Sequence, residues 1–358
     1  MPGRWASTTI LDTSIYILRA ARSGVVSDGL TRFRISQEGS APRAMLGIAP
    51  VGAAFPPQVF HGTAVVLEME HLRDPCQSLD VAAERIACNL ECWVERLSGA
   101  DLPILRATAR QFARMAAEGD EELSPRDIAQ VVLRDPMMTA KLYVHLQRVT
   151  GARKLADITT VDRNIVMLGV PPFLRAFAQA PLIEDVLRGN TPALFGLIRV
   201  IQRARRAAEI AGQFAAWRND RNFEEIMISA MLHDLAEMSI WWYAPALALE
   251  VEGRLAANPQ LRSVNAQETV FGIRLNGLQI ELIRSWGLPG LLVRMMDDEH
   301  AESPGVRNVL LAVNIARHSM HGWDNAALPD DYKEAAELLS TTPERIRELV
   351  QPSHATDG

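Results

Sequence analysis

The spacing of apolar positions changes near residue 78. Before it, short apolar runs at 14–18, 30–35, 44–48 and 58–69 are broken by Gly and Pro, a pattern that predicts strands. Gly39-Ser40-Ala41-Pro42 and Phe55-Pro56-Pro57 read as turns or loops between them. Residues 1–77 are therefore expected to form a small α+β or β-rich domain. That stretch has no Gly-rich phosphate loop, no carboxylates paired at catalytic spacing and no nucleophile elbow, so its role stays open.

From residue 78 the period becomes helical. Val81, Ile86, Leu90, Trp93, Val94 and Leu97 place one apolar face on a helix over 78–98, and Gly99 stops it. It reads as a linker or dimerisation helix, with packing against its own domain the plainer reading. Residues 99–350 are then expected to be all-helical with short connections. Ser124-Pro125-Arg126-Asp127 and Asp135-Pro136 each put a capping side chain before a first-turn proline. Thr160 is placed to cap a segment that ends at Gly169. Asn222-Phe223-Glu224-Glu225 has capping-box spacing before a helix with Phe223, Ile226, Met227, Ala230 and Met231 on its apolar face. Trp286-Gly287-Leu288-Pro289 ends one helix and starts another, residues 306–318 read as a further helix, and residues 343–350 as a last short one. Residues 351–358 read as a flexible tail.

Charge and cysteine content narrow the function classes. With 37 Lys+Arg against 43 Asp+Glu the net charge is −6, which weighs against non-specific nucleic-acid binding. No run of about 18 apolar residues suggests a membrane span, and no signal peptide is evident, since Asp12, Arg19 and Arg22 interrupt or flank the only mildly apolar opening stretch. A cytoplasmic location is expected. Cys76, Cys88 and Cys92 are too few for a secreted disulfide framework. Cys88 and Cys92 read as small buried side chains one turn apart on a helix.

The sharpest chemical signal is Met231-Leu232-His233-Asp234 at a helix end. An adjacent imidazole and carboxylate can reach one divalent cation, yet hydrolysis requires further ligands from other helices and an open position for water. Arg199, Arg203 and Arg206 follow helical spacing and could meet a phosphate or an acidic partner, or form a solvated face paired with residues such as Glu209. Trp241, Trp242 and Tyr243 suit a pocket floor less well than a core. His145, His318 and His321 have no partner visible in the sequence.

Five segments then arrive in a recognisable order: Leu102-Pro103-Ile104-Leu105, the run from Leu133 through Asp135-Pro136 to Leu142, the run from Ile158 to Leu168-Gly169, Ala230-Met231-Leu232-His233-Asp234, and Trp286-Gly287-Leu288-Pro289. Together they resemble an HDOD domain, a bacterial signalling-output relative of the HD metal-dependent phosphohydrolases, over residues 101–350. The first 97 residues lie outside the resemblance. It implies an all-helical fold and, in the catalytic branch, a metal held by an earlier-helix His, the His-Asp pair and a distal Asp.

The departures from that pattern carry the functional expectation. Arg203 stands where the earlier His belongs, Leu275 where a further His does, and Val313, beside Asn314, in the distal Asp region. Leu235-Ala236-Glu237 replaces the lysine that often follows the pair. Arg203 would repel a divalent ion and can instead pair with Asp234. The expected function is a non-catalytic signalling adaptor without cofactor, in which His233 and Asp234 are vestigial. Its partners are expected to be signalling proteins, with a homodimer or a nucleotide ligand near Arg203 left open. The alternatives are a divergent phosphohydrolase recruiting Asp298, Glu299 or His300 from the acidic run that starts at Asp297, and a nucleotide sensor.

Overall fold

The computed structural model of the chain describes residues 34–35, 67–68, 88–118, 123–151, 159–258 and 260–351. Two short strands, β1 (Arg34–Ile35) and β2 (Leu67–Glu68), pair antiparallel. The rest of the expected N-terminal domain, residues 78–87 of the expected linker helix, the tail from 352 and the His321 side chain lie outside the described residues. From 88 to 351 the described regular elements are helical, apart from one bridge between Ile104 and Leu182.

The first described helix, α1 (Leu90–Gly99), starts within the expected 78–98 stretch, with Cys88 and Asn89 non-helical before it. Asn89 sits at the N-cap in an extended conformation and its side chain accepts from the Cys92 amide. A capping Asn stands just outside the helix and satisfies an amide of its first turn, and so sets the start. Cys88 therefore precedes the helix, and it is joined to Cys92 by a disulfide. That corrects the reading of both as free thiols on one helical face. Trp93 and Leu97 are buried, and the Trp93 indole donates to the Phe271 carbonyl at 3.3 Å. Helix α1 thus packs onto the helical domain that follows.

After α2 (Arg106–Glu118), helices α3 (Pro125–Val132) and α4 (Pro136–Thr150) follow the local signals closely. Ser124 and Asp127 form a reciprocal capping box at the start of α3. Asp135 caps α4 through the Met137 and Met138 amides, and its second oxygen accepts from the Leu105 amide and the Thr108 hydroxyl. Four donors satisfy a fully buried carboxylate, so this one cap also ties α2 to α4.

Two other expected caps are replaced by long-range partners. Thr160 occupies the N-cap of α5 (Val161–Leu168), but its hydroxyl turns to Asp162. The Val161 amide instead donates to Glu224 at 2.8 Å, and the Thr159 hydroxyl to Glu225 at 2.6 Å. Those glutamates belong to the expected capping box of the later helix Phe223–Leu232. The box does not form, and Asn222 makes no side-chain cap. A cross-helix contact outcompetes the local one.

After α6 (Val170–Phe177) and the one-turn α7 (Ile183–Val186) comes α8 (Thr191–Arg218), the spine of the domain. Its 28 residues span about 42 Å at the helical rise. Ala193, Leu197, Val200, Ile201 and Ala204 enter a first core, and Ala207, Ile210, Ala211, Phe214 and Ala215 a second. The helix α9 (Phe223–Leu232) lies along α8 and divides the same way, with Ile228 and Leu232 in the first core and Ile226 and Ala230 in the second. The chain continues through α10 (Leu235–Tyr243), α11 (Pro245–Ala257), α12 (Ser263–Phe271), α13 (Leu275–Ser285) and α14 (Gly290–Met295). A 3-10 turn (Asp298–His300) precedes α15 (Pro304–His318), α16 (Leu328–Leu339) and α17 (Pro343–Val350). The boundary between the two cores, at mid-α8, is where the charged residues gather.

Candidate functional site

His233 and Asp234 occupy the break between α9 and α10. Gln279 of α13, itself buried, braces this break: its amide nitrogen donates to the Leu232 carbonyl and its oxygen accepts from the Ala236 amide, both at 2.8 Å. Backbone groups freed by the break are thereby satisfied away from water. Nothing in the local sequence pointed to Gln279, because its role depends on the packing of α13 against α10.

Arg203 projects from mid-α8 onto the pair. Its Nε and Nη2 lie 2.8 and 2.7 Å from Asp234 Oδ2, and Nη2 also lies 2.8 Å from Glu237 Oε2, one turn into α10. From the last turn of α15, Arg317 Nη2 reaches the other oxygen, Asp234 Oδ1, at 3.1 Å. Both carboxylate oxygens of Asp234 are thus engaged by guanidinium groups. Burial by itself would raise the Asp234 pKa, but Arg203 and Arg317 outweigh it and hold the carboxyl well below its ordinary range. Burial likewise works against charge on Arg203, and Asp234 and Glu237 reverse it, so the guanidinium is held charged more firmly than usual.

His233 lies between two acids. Its Nε2 is 3.0 Å from Asp298 Oδ1, in the 3-10 turn, and its Nδ1 is 3.6 Å from Asp234 Oδ1, too far for a hydrogen bond. Asn276, next to Leu275 at the start of α13, donates to the second oxygen of Asp298 at 3.3 Å. Burial opposes the charged imidazolium, yet the Asp234 and Asp298 carboxylates prevail and raise the His233 pKa to about 9. At neutral pH the ring is protonated, and an imidazolium offers no lone pair.

The remaining candidates are spread apart. Arg199 pairs with Glu252. Arg206 donates to the Val350 carbonyl, approaches Glu209 at 3.4 Å and lies 5.3 Å over the Trp323 ring. Glu299 and His300 are exposed, and His300 Nδ1 stands 3.3 Å from Asp297. Val313 is buried in the second core, and the residue one turn beyond it, Arg317, is the one that reaches the pair. Trp241 is core, packed on Gly196, while Tyr243 is part exposed. The His145 ring meets Phe177 at 5.2 Å, and His318 has a partner the sequence did not show, Asp331 at 2.6 Å. Among the described residues, no three His, Cys, Asp or Glu side chains converge as a metal site would require. None of the helices among them is long and apolar enough to cross a membrane.

The family model described as HDOD domain matches residues 102–302. The match ends before α15, the helix that supplies Arg317. Among solved structures, the chain is similar to the MmoQ response regulator from Methylococcus capsulatus, at 18% identity and a TM-score of 0.53, over 70% of this chain and 98% of that one. It is also similar to a virulence factor from Campylobacter jejuni, at 20% identity and a TM-score of 0.51, over 74% of this chain and 92% of that one. These likenesses concern the fold. The search of curated proteins gives no match.

Proposed function

The chain belongs to the HDOD domain family, and on that premise we propose that it is a non-catalytic signal-transduction output module acting through protein contacts. The observation that carries this reading is the double capture of Asp234 by Arg203 and Arg317. A divalent ion at Asp234 would have to displace two guanidinium groups or sit within a few ångströms of both, where like charges repel strongly in a poorly solvated site. The residues at the family's ligand positions do not fit a metal: the cation Arg203 and the apolar Leu275 and Val313 stand where the resemblance implies His, His and Asp.

The network holds charged groups of three helices together at the break. It neutralises Asp234 and pins α8, α10 and α15 around the break. Signal output then falls to the helical surfaces, with a protein partner as the recipient. The competing reading, a divergent phosphohydrolase that recruits Asp298, draws on the contact between Asp298 and His233, but Arg203 and Arg317 stand on the neighbouring Asp234.

The test is a hydrolysis assay on a chromogenic phosphodiester and on a cyclic dinucleotide, with manganese, iron or zinc supplied. The expected result is a rate no higher than that of the metal alone. Metal-stimulated turnover that disappears in His233→Ala would overturn the proposal.

A further inference from the structure

A cavity of about 310 Å³ opens where α9 and α15 begin, at the opposite ends of those helices from His233 and Arg317. That volume is at the lower end of the range of small-molecule pockets, roughly 300–1,000 Å³. Its lining includes Arg221 just before α9 and Arg294 on α14. Both side chains are exposed, and neither has an ion pair or side-chain hydrogen bond among the described residues. Asp220 also lines the cavity, but Arg218 neutralises it at 3.1 Å. Glu302 is the one acid there without an ion pair among the described residues. Two uncommitted guanidinium groups therefore face one uncommitted carboxylate in a concave site.

The backbone adds to the positive balance. The N-cap residues of the two helices, Asn222 and Ser303, line the cavity, and neither makes a side-chain capping bond. Gly305 and Val306, in the first turn of α15, line it as well. First-turn amides have no partner within their own helix and favour anions. The arginines and the cavity carry the argument, and the amides supply directional donors.

We propose that this cavity binds a phosphomonoester of metabolite size through Arg221 and Arg294. Guanidinium forks match phosphate oxygens geometrically and by charge. The site is separate from Arg203, which is occupied by Asp234 and Glu237. It does not depend on the signalling reading, since binding can be measured whether or not the His233 site holds a metal. The two are neighbours in sequence: the 297–303 segment carries Asp298, bonded to His233, and Ser303, at the cavity wall.

The experiment is a calorimetric titration of the full chain with inorganic phosphate and with adenosine 5′-monophosphate, at constant ionic strength and without added metal. The expected result is saturable binding of both probes. Arg221→Ala and Arg294→Ala should each weaken it about tenfold, the scale of a lost hydrogen bond to a charged group. Glu302→Gln should tighten it by removing the opposing charge. Thermal melts would check that the variants fold, as expected for exposed side chains. Absence of saturable binding by either probe, native affinity retained in both arginine variants, or weaker binding in Glu302→Gln would overturn the proposal.

Discussion

Arg203 contacts a single oxygen of Asp234, Oδ2, with two of its nitrogens, while Oδ1 is left to Arg317. The carboxylate is buried, and the two guanidinium groups outweigh the effect of that burial on its charge. Removing one partner from a buried pair costs far more than the pair contributes, about 3–5 kcal/mol. Arg203→Ala is therefore expected to lower the stability of the helical domain by about 3 kcal/mol in urea unfolding, near the lower bound because Arg317 remains. A double-mutant cycle with Asp234→Ala should show strong coupling. Additive single-site effects would mean that the pair carries no stability.

The protonation of His233 gives a pH signature. Its folded pKa, about 9, exceeds the ordinary value near 6.5. Its contribution to stability is therefore complete below about pH 6.5 and is lost as the pH rises through about 9. Asp234 has the opposite sign. Its depressed pKa stabilises above the ordinary carboxylate range, and that contribution is lost only as the pH falls through the lower folded value. The chain should hold steady stability across neutrality and weaken on the alkaline side, and His233→Gln should remove that alkaline loss. NMR of the His233 ring decides the matter: titration near 9 agrees, and titration at or below 6.5 does not.

Close approach of α8 and α10 depends on the absence of a side chain. A Cβ placed on Gly196 would lie 2.2 Å from the Trp241 ring, deep inside contact distance. Gly196→Ala should cost about 1–3 kcal/mol through overpacking, although alanine is the better helix former. Thermal unfolding reads it directly, and an unchanged or raised melting temperature would refute this packing argument.

The helix starts at Ser124 and Asp135 were legible in the sequence because capping is decided within a few residues. The Asn222 box was misleading for a physical reason: Glu224 and Glu225 found stronger use bonding Val161 and Thr159 across the fold. The pairing of Arg203 with Asp234 was legible because both residues fell on positions that the family resemblance aligns. Arg317 was missed, being 83 residues from its partner. The signal that could have found it is helical periodicity, one turn past Val313. Gln279 gave no signal at all, since a glutamine's partners are set entirely by tertiary packing.

Cys88 and Cys92 offer a test independent of the charged site. Joined as a disulfide, they leave Cys76 as the remaining cysteine of the three in the sequence. Denatured protein alkylated before any reductant is added should therefore yield one labelled thiol, and reduced protein three. Three labelled thiols without reduction would contradict the bond. Cys88→Ser should leave the start of α1 in place, since Asn89 caps it independently.

Guanidinium groups from two helices and the imidazole of His233 surround Asp234, and on the proposed reading they leave no room for a metal ion. Metal content per chain tests it most directly, measured by elemental analysis after incubation with manganese, iron and zinc and removal of free ions. A content near zero is expected in the native chain. One or two tightly held ions per chain, lost on His233→Ala, would contradict it.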